Sequence, residues 1–175
     1  QEEYPLLLDL VSAGPHAVVT GMTGSGKTEF LRSWLAAMAA TYSPDELSIL
    51  LIDFKGGAGF SSLSAVAHVV GMVTDLDHAE AHRAIISLRA ELRAREKMLA
   101  EAGVSEISAL DGRASLPRLI VVVDEYRVVL DAFPEMAEIF VDLAARGRAL
   151  GIHLVLSSQR VGGAQIGRAS CRERV

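Results

Sequence analysis

Three stretches of the sequence hold residue types whose spacing can do phosphate chemistry. The first is "GMTGSGKT", Gly21 to Thr28, which fits G-x-x-x-x-G-K-[ST]. Glycines in such a run let backbone N–H groups converge on phosphate oxygens, and a helix starting at the lysine adds its partial positive charge. Gly21, Thr23, Gly24, Ser25, Gly26, Lys27 and Thr28 are therefore the expected nucleotide-contacting residues. Lys27 would reach the β- and γ-phosphates, and the Thr28 hydroxyl would ligate Mg2+. The competing reading is a glycine-rich turn with an exposed lysine.

The second stretch is "RLIVVVDEY", 118–126, a hydrophobic run ending in Asp124 and Glu125. Beside a phosphate loop, an Asp at the end of a buried strand holds Mg2+, and a Glu next to it polarises the attacking water. Asp124 is the expected metal ligand with Thr28, and Glu125 the expected catalytic base. The Glu favours an ATPase over a GTPase or a small-molecule kinase. The third stretch, "HLVLSSQR" at 153–160, turns from apolar to polar within one strand. There Gln159 could sense the γ-phosphate or position water, or simply end a strand.

These residues need a scaffold, and the chain supplies one pattern repeatedly. Apolar runs alternate with helical spacing, which predicts βα units around a parallel sheet. Strands are expected at 16–21, 47–54, 68–74, 116–125 and 152–159. Helices are expected at 27–42, at 75–103 after an Asp-rich cap, and at 134–151 with Gly151 just past its end. One further stretch is "LSILLIDFKGGAGF", 47–60, a strand running into Asp53, Lys55 and three glycines. It lacks a G-K-[ST] step, so it is not a second phosphate loop. Gly56, Gly57 and Gly59 fit either a close approach to a neighbouring module or a structural turn.

Composition narrows the class. Half of the 175 residues are hydrophobic, as a buried parallel sheet requires. The longest apolar runs, such as "LIVVV" at 119–123, are too short to span a bilayer. The N-terminal "QEEYPLLLDL" has no basic region like that of a signal peptide. The start at Gln1 suggests a piece of a longer protein, and the sheet is expected to be truncated at its C-terminal end. The last ten residues, "IGRASCRERV" at 166–175, read codon for codon as a translated sequencing adapter and are set apart as a non-native tail. Without them Lys+Arg falls from 17 to 14 and Asp+Glu from 22 to 21, so the net charge moves from −5 to −7. The only cysteine goes with the tail, which excludes a disulfide framework or a cysteine nucleophile.

Taken together, "GMTGSGKTE", "LLIDFKGGAGF", "HVVGMVTDLD", "ELRAREKMLAEAG", "VVVDEY" and "ARGRALGIHLVLSSQR" resemble the FtsK/SpoIIIE branch of the HerA–FtsK motor ATPases. The "DFKGGAGF" segment is most similar to that of the type VII secretion ATPases, the EccC/EssC group. The resemblance implies an α/β, RecA-like (ASCE) P-loop NTPase with a central, mostly parallel sheet flanked by helices, occupying residues 1–165. It implies ATP and Mg2+ as cofactors and adds Glu29 to the nucleotide-contacting set. It gives Lys27 and Thr28 the Walker A roles, Asp124 and Glu125 the Walker B roles, and Gln159 the sensor role. Tandem modules or a hexameric ring would place ATP at interfaces, with an arginine finger from a neighbour. Arg83, Arg89, Arg93 and Arg95 are finger candidates, against a solvated charged face paired with Glu91, Glu96 and Glu101. Two departures are the "RVVLDAF" after "VVVDEY" and Val161 after "SSQR".

The expected function is an ATP-driven motor module of a type VII-like protein secretion machine, acting on a secreted protein. Its parent would be attached to the cell membrane, with this soluble domain on the cytoplasmic side. The alternatives are an FtsK/SpoIIIE-type double-stranded DNA translocase and a regulatory nucleotide-binding module with slow turnover. An acidic balance leans against DNA, because non-specific duplex binding is mostly electrostatic.

Overall fold

The computed structural model describes residues 8–53, 59–74, 78–110 and 116–159. Lys55, Gly56, Gly57, the Asp-rich cap at 75–77 and the 166–175 tail lie outside the described residues. Five strands form the sheet: β1 (Ala17–Thr20), β2 (Leu47–Asp53), β3 (Val69–Val73), β4 (Arg118–Asp124) and β5 (Ile152–Ser158). Their spatial order is β1-β5-β4-β2-β3, and every neighbouring pair is parallel.

Burial follows this order. β5 is buried along its whole length and β4 at every residue but Arg118, because both have neighbours on each side. The edges are looser: Val18 on β1 and Val70 on β3 are each 63% exposed. Alternate side chains of the central strands face opposite layers. Ile49, Leu51, Ile120, Val122 and Val155 meet Leu31 and Leu35 of α1 (Lys27–Thr41). Ile52, Val121, Val123, Leu154 and Leu156 meet three helices on the other face. These are α2 (His78–Glu101), α3 (Tyr126–Ala132) and α4 (Met136–Leu150). Each fully buried Leu, Ile or Val contributes roughly 1.5–3 kcal/mol relative to exposure, so this two-sided core dominates the fold's stability.

The topology decides what can meet at the carboxyl ends of the strands. β5 sits between β1 and β4, so the strand ending in Ser157 and Ser158 separates the phosphate-loop strand from the acidic one. On the far side of β4, Asp53 is the register partner of Asp124.

Three expectations need correction. Strand β4 ends at Asp124, and Glu125 lies outside it. The chain then forms α3, a helix the sequence reading did not anticipate. Arg95 is neither available to a neighbour as a finger nor part of a solvated face. It is 3% exposed, and its guanidinium donates to Leu150 O (2.9 Å) and Gly151 O (3.5 Å) at the end of α4 while pairing with Glu91 (2.7 Å). Arg83 pairs with Glu80 and Arg89 with Glu138, whereas Arg93 is exposed.

Candidate functional site

The loop from β1 into α1 is fastened at its first residue, where the Gly21 N–H donates to Ser158 O at 3.2 Å. The Ser25 N–H turns back to Met22 O at 3.1 Å. Gly24 (φ 78°) and Gly26 (φ 86°) take left-handed conformations that cost L-residues with a Cβ about 1–2 kcal/mol. Gly26 is the N-cap of α1 and no side chain caps that terminus. The N–H groups of the first helical turn are thus offered to an anion, with the helix dipole behind them.

Lys27 and Thr28 open α1 and point to the strand ends. Lys27 is buried, and its Nζ donates to Gly21 O (2.6 Å) and Met22 O (3.3 Å). The same Nζ stands 3.6 Å from Glu125 Oε1. The Thr28 hydroxyl donates to Asp124 Oδ2 at 3.2 Å. On the other side of Asp124, the Ser157 hydroxyl donates to Oδ1. The Ser157 oxygen in turn accepts the Glu125 N–H at 3.1 Å. Glu125 is the only described non-glycine residue with positive φ (50°). This strained turn, costing roughly 1–3 kcal/mol, takes the chain out of β4 and leaves the Glu125 carboxylate beside Lys27.

These groups border a cleft of about 330 Å³. Of the sequence-predicted residues, Thr23, Gly24, Gly26, Lys27, Thr28, Glu29, Asp124, Glu125 and Gln159 line it. Gly21 and Ser25 do not; they close the loop from behind. Glu29 is exposed and ion-paired with Arg32 one turn along α1. Gln159 is exposed just past β5. A larger groove of about 520 Å³ lies between β3 and α2, but it joins no phosphate loop to paired carboxylates, so size does not mark the site.

The residues fit a nucleotide triphosphate with Mg2+. Thr28 Oγ1 and the Asp124 carboxylate are hard oxygen donors held together. No group of three or more His, Cys, Asp or Glu side chains suited to a metal occurs among the described residues. Mg2+ commonly takes one or two protein ligands and completes its shell with phosphates and water, so two donors suffice.

Sequence reading missed two participants. Met22 lines the cleft and accepts from Lys27 through its carbonyl. Ser157 orients Asp124 and fixes the Glu125 backbone. Its signal was a hydroxyl inside a strand otherwise fit for the core.

The sequence profile of the FtsK/SpoIIIE family matches residues 1–132. The type VII secretion system protein EssC of Staphylococcus aureus is 38% identical over 157 residues, which is 86% of this chain and 11% of that protein. The chain thus spans about a tenth of that relative's length. The cytoplasmic domain of the Thermomonospora curvata type VII secretion ATPase EccC superposes with a TM-score of 0.83 at 37% identity, over 90% of this chain and 20% of that one. ATPases 2 and 3 of the same EccC, in complex with a signal sequence peptide, superpose with a TM-score of 0.83 at 28% identity, over 91% of this chain and 30% of that one.

Proposed function

The chain belongs to the FtsK/SpoIIIE family, and from that premise we propose that it is an ATP-binding, ATP-hydrolysing motor module of a type VII-like protein secretion machine. The observation that carries the chemistry is the convergence of Lys27, Thr28, Asp124 and Glu125 on one cleft, within hydrogen-bond or ion-pair reach of one another. Lys27 and the loop N–H groups hold the phosphates. Thr28 and Asp124 would hold Mg2+, which would supply positive charge to the phosphate oxygens as negative charge develops on them. A phosphate competing for the Lys27 ammonium draws it from Glu125 and leaves that carboxylate to take a proton from the attacking water. Gln159, at the rim, orients that water.

The export assignment is supported by the relatives. EssC and EccC are type VII secretion proteins, and one EccC structure holds a signal peptide. The relatives' cytoplasmic, multi-ATPase arrangement supports a module that works in tandem with others on the cytoplasmic side. We further propose a hexameric ring, an arginine supplied by a neighbour and a membrane-attached parent. Among the described residues no helix is long and apolar enough to cross a membrane.

The test is ATP turnover by the intact parent protein, with a signal-sequence peptide or duplex DNA added. Turnover that needs Mg2+ and responds to peptide but not DNA is expected. Strong stimulation by DNA would replace export with DNA translocation.

A further inference from the structure

Gly59 belongs to the "DFKGGAGF" segment that follows β2, and none of the chemistry above uses it. The fold brings it against the phosphate loop. A Cβ on Gly59 would stand 2.8 Å from Thr28 Cγ2 and 3.3 Å from Asp53 Oδ2. The first distance is well inside the roughly 3.5–4.0 Å at which carbons make contact. Conformation is not the reason for the glycine. The described positive-φ glycines are Gly24, Gly26, Gly103 and Gly151, and Gly59 is not among them. The site demands small size. The neighbouring Phe60 is fully buried on the α1 face of the sheet with Leu31 and Leu35, which anchors Gly59 where it is.

Thr28 carries its methyl and its hydroxyl on one Cβ, and a β-branched side chain is stiff about χ1. The methyl lies over Gly59 while the hydroxyl donates to Asp124 at 3.2 Å. Any rotation that relieves the methyl also swings the hydroxyl away from the carboxylate. We propose that Gly59 is a positioning residue for the metal site: its bare backbone seats the Thr28 methyl and so aims Thr28 Oγ1 at the place Mg2+ occupies. This rests on the reading of Thr28 as an Mg2+ ligand. The sequence offered either an approach to a neighbouring module or a structural turn here; at Gly59 the close contact is instead with the chain's own Thr28.

The test measures binding of a fluorescent ATP analogue with and without Mg2+ in the parent protein. Gly59→Ala is expected to cut the Mg2+-dependent gain in affinity by about ten-fold, the scale of losses behind metal ligands. Thr28→Ser keeps the hydroxyl but removes the methyl, which clears the space a Cβ would take. The double variant Gly59→Ala/Thr28→Ser should therefore regain most of what Gly59→Ala loses. Parent-like binding by Gly59→Ala overturns the proposal, as does a double variant no better than Gly59→Ala. A thermal melt covers failure to fold. If Gly59→Ala unfolds, refolding by Thr28→Ser supports the contact, and continued unfolding of the double variant refutes it. Lys27→Ala separates the two readings. Loss of binding there with none in Gly59→Ala sinks only the positioning role, whereas unchanged binding in Lys27→Ala sinks the phosphate-loop reading itself.

Discussion

Lys27 Nζ stands 3.6 Å from Glu125 Oε1, with both side chains buried. The cation expected to hold phosphate and the carboxylate expected to activate water therefore neutralise each other across the cleft. Buried charges of this kind are tolerated only when paired. The two substitutions separate their roles. Lys27→Ala removes the phosphate partner and should weaken ATP binding about a hundred-fold, or about 3 kcal/mol. Glu125→Gln keeps the size and one acceptor oxygen but cannot take a proton, so ATP should still bind while turnover falls roughly 10²–10⁴-fold. Equilibrium binding and single-turnover hydrolysis distinguish them, and parent-like turnover by Glu125→Gln removes the base assignment.

Ser157→Ala should cost both stability and metal-dependent binding. The hydroxyl links Asp124 Oδ1 to the Glu125 N–H inside the sheet. Its loss leaves a carboxylate oxygen and a backbone donor without that partner, at roughly 1–3 kcal/mol. Urea unfolding reads the first effect. Titration of Mg2+ at fixed ATP reads the second, because Asp124 is free to turn from Thr28. Unchanged values in both measurements would reduce Ser157 to a core filler.

Much of the site was legible because its signals are local. The glycines, Lys27 and Thr28 lie within one loop, and Asp124 ends a run of buried β-branched residues. What was not legible depends on contacts distant in sequence. The insertion of β5 between β1 and β4 brings Ser157 to Asp124, and spacing along the chain carries no trace of that pairing. Helix α3 was missed because its start is a left-handed Glu125, a conformation no sequence pattern announces for a non-glycine. Its "YRVVLDA" also contains adjacent valines, which favour strands over helices. Arg95 was misplaced for a related reason. Charge at helical spacing reads as a solvated face, yet the last carbonyls of α4 fall within its reach.

Arg95→Ala is expected to destabilise the fold while leaving nucleotide affinity alone. The guanidinium satisfies the Leu150 and Gly151 carbonyls, and burial already lowers its pKa against the partial support of Glu91. Truncation leaves buried acceptors unpaired, a loss of roughly 1–3 kcal/mol. A lowered urea midpoint with parent-like ATP binding is the predicted pair of results. Arginine-finger behaviour would show the reverse, with turnover reduced and stability kept.

Acid should loosen the end of the sheet opposite the cleft, through two histidines. His16 donates through Nε2 to Ala144 O (3.1 Å) and accepts the Leu154 N–H at Nδ1 (3.0 Å). His153 donates through Nδ1 to Pro15 O (2.9 Å) and faces the Arg118 guanidinium with Nε2 (3.4 Å). The two contacts in which a ring nitrogen accepts, from the Leu154 N–H at His16 and from Arg118 at His153, need the neutral ring. Burial is the main force holding both pKa values below the ordinary 6.5, and the backbone acceptors only partly oppose it. Arg118, His16 and Arg95 add charge repulsion at His153. The unfolded chain, titrating near 6.5, takes up these protons first, so stability rises with pH through this window. The contribution is complete above 6.5 and drains away as pH falls toward the lowered folded-state values. The urea midpoint should thus be lower at about pH 5.5 than at about pH 7.5. A His16→Gln/His153→Gln variant should show a shallower acid slope over the same interval. An equal slope would place the proton uptake on other groups.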